Sequence, residues 1–268
     1  MRRIELTGHD VVGIRAANPG PFTLTGTNSW VIGRDPAWIV DPGPALAAHL
    51  DALAAELEGR GGLGGIALTH DHPDHAQAVP LLRERFPGAL VAAGRGEADL
   101  ILRDGLPAGP LEAVFTPGHA PDHFCFRLGS SVFSGDAVLG EGSVFIAPDP
   151  GALAGYLEGL ARLRRHAPEL ILPGHGPPVT RPLEKLDEYV AHRLERERRL
   201  ISALSAGARS ITQLLDAAWD DVGEHLRPAA TVTLAAHLDK LEAEGRLPDG
   251  VERPPPLRLS QPRSPAGE

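Results

Sequence analysis

The chain has 268 residues, 42% of them hydrophobic, and a formal net charge of −9. That length and apolar content suffice for one large packed domain or a medium domain with a small one, and exclude a disordered polymer. The negative charge argues against wrapping on duplex DNA, which requires a concentrated basic face. Residues 1–20 contain no apolar run long enough for a secretory signal or a membrane span, so a soluble cytoplasmic protein is expected. The single cysteine, Cys125, lies in the run Phe124-Cys125-Phe126 and reads as a small core residue.

In chain order, short β-type runs occur at Trp30-Val31-Ile32, Trp38-Ile39-Val40, Ile66-Ala67-Leu68, Leu90-Val91-Ala92 and Val114-Phe115. They continue at Phe124 to Leu128, Ser131 to Ser134 and Leu170 to Leu172. Helical spacing appears in Leu46-Leu50-Leu53-Leu57 and in Leu153-Leu157-Leu160, so the first part of the chain is a layered α/β domain, residues 1–178. After Pro177-Pro178 the pattern turns helical, with Leu183, Leu186, Val190, Leu194, Ile201 and Leu204 on one stripe. Ser210-Ile211-Thr212-Gln213 is a capping box, and a further helix over Thr231 to Glu244 ends at Gly245, giving a small helical module over 179–250. The proline-rich residues 251–268 read as a disordered tail.

Four polar clusters each follow a β-type run: His70-Asp71-His72-Pro73-Asp74-His75, Gly118-His119, Gly135-Asp136 and Gly174-His175. Strand ends fix the backbone, and tight glycine turns let side chains converge on one point. Imidazole and carboxylate donors together suit zinc. Seven of them, His70, His72, Asp74, His75, His119, Asp136 and His175, exceed what one tetrahedral ion can take, so two ions are expected.

In these residues the chain resembles the metallo-β-lactamase superfamily, whose His-x-His-x-Asp-His motif is matched by His70, His72, Asp74 and His75, with His119, Asp136 and His175 in the later positions. The resemblance implies an αββα sandwich. It also implies a first zinc on His70, His72 and His119, a second on Asp74, His75 and His175, and Asp136 between them. A metal-bridging hydroxide is the nucleophile this implies. Asp74 has a second candidate role in orienting that nucleophile or passing a proton to the leaving group. Secreted β-lactamases of the best-known subgroup carry cysteine where Asp136 stands, so lactam hydrolysis is not expected.

The stretches Asn18-Pro19-Gly20, Phe22 to Asn28, Asp41-Pro42-Gly43 and Thr116 to His123 look like the beta-lactamase-like protein 2 group. So does His237 to Leu247, which resembles the end of a winged-helix domain. For animal members this implies endoribonuclease activity on single-stranded RNA. A thioesterase similar to hydroxyacylglutathione hydrolase, and a mononuclear iron persulfide dioxygenase, are the alternatives. Gln77 and Ala78 depart from the two glycines that many members carry there. Asn28 is expected to be a structural turn residue, and His123 either meets substrate or hydrogen-bonds within the His119 loop. From Leu183 to Gly250 there are nine basic residues against thirteen acidic ones, so the module is expected to cap the hydrolase domain. Only the run Arg193 to Arg199 is locally basic and open to RNA contact.

Overall fold

The computed structural model describes residues 2–6, 10–146 and 149–255. The first sheet contains β1 (Arg2–Glu5), β2 (Val11–Arg15), β3 (Asn28–Ile32), β4 (Ala37–Val40), β5 (Leu63–Ala67), β6 (Leu90–Ala93) and β7 (Leu100–Ile101) in that spatial order. Pairing is antiparallel through β4 and parallel from β4 to β7. The change of direction is made by α1 (Ala47–Glu58), which carries the chain from β4 to β5, while α2 (Pro73–Ala76) and α3 (Val79–Arg85) lie between β5 and β6. Helical crossovers are what parallel neighbours require.

The second sheet contains β8 (Pro107–Ala108), β9 (Leu111–Phe115), β10 (Phe124–Leu128), β11 (Ser131–Gly135) and β12 (Leu170–Pro173), in the order β12-β11-β10-β9-β8. Its β11–β12 pair is parallel, with α4 (Ala152–Arg165) in the connection. Trp30, Ile32 and Val40 of the first sheet meet Phe126, Phe133 and Leu172 of the second in a core between the sheets. On the outer face of the first sheet, Val31, Ile39 and Ile66 pack on Leu53 and Leu57 of α1 and Leu82 of α3. On the outer face of the second, Val132 and Ile171 pack on Tyr156, Leu160 and Leu163 of α4. The layers are therefore helix, sheet, sheet, helix. Cys125 is buried in the outer core, as its apolar neighbours imply.

The C-terminal part holds α5 (Pro182–Ser205), α6 (Ile211–Ala218), a 3-10 turn (Glu224–Leu226) and α7 (Arg227–Ala243). Its core joins Leu200 and Leu204 of α5 to Leu214, Leu215 and Trp219, and to Leu234, Leu238 and Leu241 of α7. Leu186 and Tyr189 of the same helix belong instead to the core of the second sheet. One helix thus serves both cores, and packing divides within α5 rather than at residue 178. The expected stripe is also rotated. Leu183 and Leu194 are 39% and 49% exposed, while Arg193, Arg196 and Glu197 lie on the buried line with Leu186, Tyr189, Leu200 and Leu204. Arginine stems bury well while their heads find partners, so a hydrophobicity pattern misplaces such a face.

The capping box is present: Ser210 Oγ accepts from Gln213 N at 3.3 Å and Gln213 Oε1 accepts from Ser210 N at 3.1 Å. Residues 251–255 are not the start of a disordered tail. Val251 packs on the C-terminal core, Glu252 accepts from Ile211 N at 2.9 Å, and Arg253 pairs with Asp239 at 2.9 Å. Residues 256–268 of that expected tail lie outside the described residues. Among the described residues no helix is long and apolar enough to cross a membrane.

Candidate metal centre

Each of the seven polar residues stands just past a strand: His70 to His75 after β5, His119 after β9, Asp136 after β11 and His175 after β12. The first strand belongs to one sheet and the other three to the second, so the cluster spans one edge of the sandwich. The close approach needs glycine. A Cβ on Gly174 would lie 2.7 Å from His75 Cε1 and 2.8 Å from Asp136 Oδ1, and one on Gly135, which has φ +46°, would lie 2.5 Å from Thr69 Oγ1.

His70 Nε2 and His119 Nε2 stand 3.0 and 3.1 Å from His72 Nδ1. His75 Nε2 and His175 Nε2 are 3.3 Å apart, and Asp74 Oδ2 lies 3.2 Å from His175 Nε2. Asp136 stands between these groups, with Oδ1 3.5 and 3.4 Å from His75 and His175 and Oδ2 3.6 Å from His119. His70, His72 and His119 form one set whose donor atoms lie within 4.8 Å of one another, and Asp74, His75 and His175 form another.

The hydrogen-bond network fixes which nitrogens carry protons. Thr69 Oγ1 donates to Asp41 Oδ2 at 2.7 Å and so accepts from His70 Nδ1–H at 2.9 Å. His75 Nδ1–H donates to Asp41 Oδ2 at 2.9 Å, and His119 Nδ1–H to the Phe145 carbonyl at 2.9 Å. In the neutral rings each of the three Nε2 atoms is then a lone pair pointing inward. Buried lone pairs converging without donors are costly, and Asp136 Oδ1 is itself buried without a partner. Ligand atoms of a tetrahedral zinc with 2.0–2.1 Å bonds are about 3.3 Å apart, close to the spacings found. The donor set therefore fits metal ions.

The electrostatics point the same way. Burial alone would depress the His175 imidazole, but Asp136 and Asp74 outweigh it and push it up to about 10. Burial likewise opposes ionisation of Asp136, yet His175 and His75 hold it well below the usual carboxylate range. Burial drives His70 and His119 down. A pocket whose carboxylates draw protons onto buried imidazoles calls for positive charge.

Three supporting residues went unassigned in the sequence. Asp41, buried with φ +51°, accepts from Thr69 N, Thr69 Oγ1 and His75 Nδ1. Thr69 relays Asp41 to His70. Arg15 donates to Asn28 Oδ1 at 2.8 Å and to the Gly176 carbonyl at 3.0 Å, securing the loop that carries His175. Asp41 belongs to the turn Asp41-Pro42-Gly43, and no local pattern marks a contact spanning 34 residues. Asn28 is structural, donating to the Pro173 and Gly176 carbonyls. His123 is fully buried and faces inward: Nδ1–H donates to Thr116 Oγ1 at 2.9 Å, and Nε2 accepts from Asp136 N at 3.2 Å. Gln77 accepts from Ala45 N at 3.2 Å, and Ala78 N donates to the Gly43 carbonyl, so both brace the loop behind the motif.

A cavity of about 300 Å³ reaches His119 and Asp136 and runs beneath the C-terminal part, lined by Phe22, Leu24, Leu139, Val144, Phe145 and Trp219 among others. Three arginines of the run Arg193 to Arg199 already hold carboxylates. Arg196 forms two bonds to Asp221, at 2.6 and 2.8 Å, Arg198 pairs with Glu195 at 2.6 Å, and Arg199 pairs with Asp220 at 2.6 Å.

The metallo-beta-lactamase superfamily profile matches residues 22–104, and the profile of the beta-lactamase associated winged helix domain matches residues 210–248. The beta-lactamase-like protein 2 homolog of Drosophila melanogaster is 30% identical over 271 residues, covering 88% of this chain and 89% of the relative. The chain belongs to the metallo-beta-lactamase superfamily. It is a metal-dependent hydrolase with a C-terminal winged-helix domain. The atrochrysone carboxyl ACP thioesterase of Aspergillus chevalieri is 36% identical over 222 residues, covering 75% of this chain and 70% of that protein. The crystal structure of a beta-lactamase domain protein from Burkholderia ambifaria shares the fold with a TM-score of 0.77 at 23% identity, over 93% of this chain and 91% of that one.

Proposed function

We propose that the protein is a dinuclear zinc hydrolase that cleaves an ester or thioester of a small, largely apolar acyl compound. The cavity carries the substrate class. It joins the candidate ligands His119 and Asp136 to walls of Phe, Leu, Val and Trp side chains, at a volume that suits a small molecule. Similarity to a relative named as an ACP thioesterase supports an acyl substrate. Single-stranded RNA, the substrate implied by resemblance to animal beta-lactamase-like protein 2, needs a charged groove with stacking platforms. Here Arg196, Arg198 and Arg199 already hold carboxylates.

His70, His72 and His119 would hold one ion, Asp74, His75 and His175 the second, and Asp136 would reach both. When bound, two zinc ions supply Lewis acidity toward the scissile carbonyl and a lowered pKa for water. The chain orients the donors. Asp41 and Thr69 fix the tautomers of His75 and His70, and the Phe145 carbonyl fixes that of His119. Asp74 is the partly exposed carboxylate of the set, so its second role is to take a proton from water and hand it to the leaving group. Phe22, 64% exposed and edge-on to Phe145 at 6.3 Å, forms an apolar lip that excludes water from the entrance when substrate enters.

Elemental analysis of protein purified without added metal, followed by assays on aryl thioesters and on unstructured RNA, tests this reading. The expected result is two zinc ions per chain and thioester turnover that drops to background in His119→Ala. RNA cleavage without thioester turnover would replace the acyl reading with a phosphodiesterase. A single iron per chain would replace it with the oxygenase alternative.

A further inference from the structure

Among the described residues, the cavity wall contains a buried cation with no countercharge. Arg193, on α5, is 2% exposed. It donates through Nη2 to Ser143 Oγ at 3.2 Å and to the Val144 carbonyl, and its guanidinium lies over the Tyr156 ring, 5.4 Å from the centroid. Among the described residues no carboxylate lies within 4.0 Å of it, and its Nε is buried without a partner. Other buried arginines are better served: Arg60 has Asp10 and Glu56, Arg196 has Asp221, and Arg15 uses all three nitrogens. A guanidinium does not escape burial by losing its proton, so the unmet charge calls for an anion.

Arg193 and Arg196 line the cavity together with His192, and His237 lies against Trp219, another lining residue. Burial pushes His192 down to about 4 and His237 to about 3, so neither imidazole competes for an anion's charge as a cation at neutral pH. Glu141 on the rim is exposed and makes no ion pair with Arg193.

We propose that Arg193 is the subsite for a carboxylate on the substrate, so that the hydrolase acts on acyl compounds carrying an acidic group beyond an apolar body. This rests on the hydrolase reading of the same cavity. The scissile carbonyl sits toward His119 and Asp136, the apolar body along Phe145, Leu139 and Trp219, and the carboxylate on the Arg193 guanidinium. Arginine suits that partner because its guanidinium keeps its charge when buried, and a charge-assisted hydrogen bond to a carboxylate is stronger than a neutral one.

Isothermal titration of the metal-loaded protein with 2-naphthoate and with 2-naphthamide, which share shape and differ in charge, tests the subsite without turnover. Wild type is expected to prefer the carboxylate by about tenfold or more, the scale of one charge-assisted contact. Arg193→Met is expected to lose that preference and Arg193→Lys to reduce it. Equal affinities in wild type overturn the proposal. So does a preference that survives in Arg193→Met, since the carboxylate would then sit on the metals. Should Arg193→Met not fold, an undiminished preference in Arg193→Lys overturns it equally. Metal count and thioester turnover judge the hydrolase reading separately.

Discussion

Asp41 shows how much of the centre is held from behind. Its carboxylate receives three hydrogen bonds, two of which lead to His75 and, through Thr69, to His70. Carboxylate partners of this kind set ring orientation and ligand basicity, and their loss typically costs 10- to 100-fold in metal affinity. Asp41→Ala is accordingly expected to weaken zinc binding by about 10- to 100-fold, measured by competition with a chromogenic chelator. Asp41→Asn should lose less, because asparagine keeps an acceptor and tolerates the left-handed backbone that Asp41 adopts at φ +51°. Equal losses would assign the effect to the carboxylate's charge instead of to backbone strain. The seven candidate ligands were legible in the sequence because histidine and aspartate recur after apolar runs and tight glycine turns. Asp41 and Arg15 were not, since their meaning lies in partners that only the folded sheets bring near.

At the scale of elements, strands and the first helices could be read from periodicity, whereas α5 could not be oriented by it. Its buried line includes Arg196 and Glu197, whose polar heads are met by a carbonyl, Asp221 and Lys240, and Arg193, whose Nη2 meets Ser143 and a carbonyl while its Nε has no partner among the described residues. The C-terminal core adds a further buried polar group, His237, fully enclosed with both ring nitrogens unpartnered among the described residues and its ring edge-on to Trp219 at 5.7 Å. Burial pushes it down to about 3. The folded state therefore keeps this imidazole neutral, while an unfolded histidine takes a proton below about pH 6.5. Its contribution is intact above that pH and is lost as pH falls toward 3. His237→Phe, which keeps a ring and removes the titration, is expected to lessen the stability lost between pH 7.5 and 5 by about 2 kcal/mol, read by urea denaturation followed at Trp219. An unchanged pH slope would show that acid sensitivity of this core lies elsewhere. Within the same module, Ser210→Ala removes the cap of α6 and is expected to cost about 1 kcal/mol, independent of pH over that range.

On the scale of the whole molecule, the candidate centre is where the two sheets meet. His70, His72, Asp74 and His75 hang from β5 of one sheet, and His119, Asp136 and His175 from β9, β11 and β12 of the other. Direct hydrogen bonds between the sheets at this edge include Phe124 N to the Thr69 carbonyl and Asn28 N to the Gly174 carbonyl. Ions shared by ligands from both sides would add a cross-link, and would also offset the carboxylates of Asp74 and Asp136, which repel one another. Ligands that bind only the folded state stabilise it by mass action, by about 4 kcal/mol when free metal stands a thousandfold above its dissociation constant. Chelation is therefore expected to lower the unfolding temperature of the sandwich by several degrees and to open hydrogen exchange at the ends of β5, β9, β11 and β12. The C-terminal core around Leu200, Leu214, Leu234 and Leu241 makes none of these contacts and should keep its protection. Calorimetry with exchange mass spectrometry separates the two. A uniform loss of protection along the chain would instead mean that α5, shared by both cores, couples them into one cooperative unit.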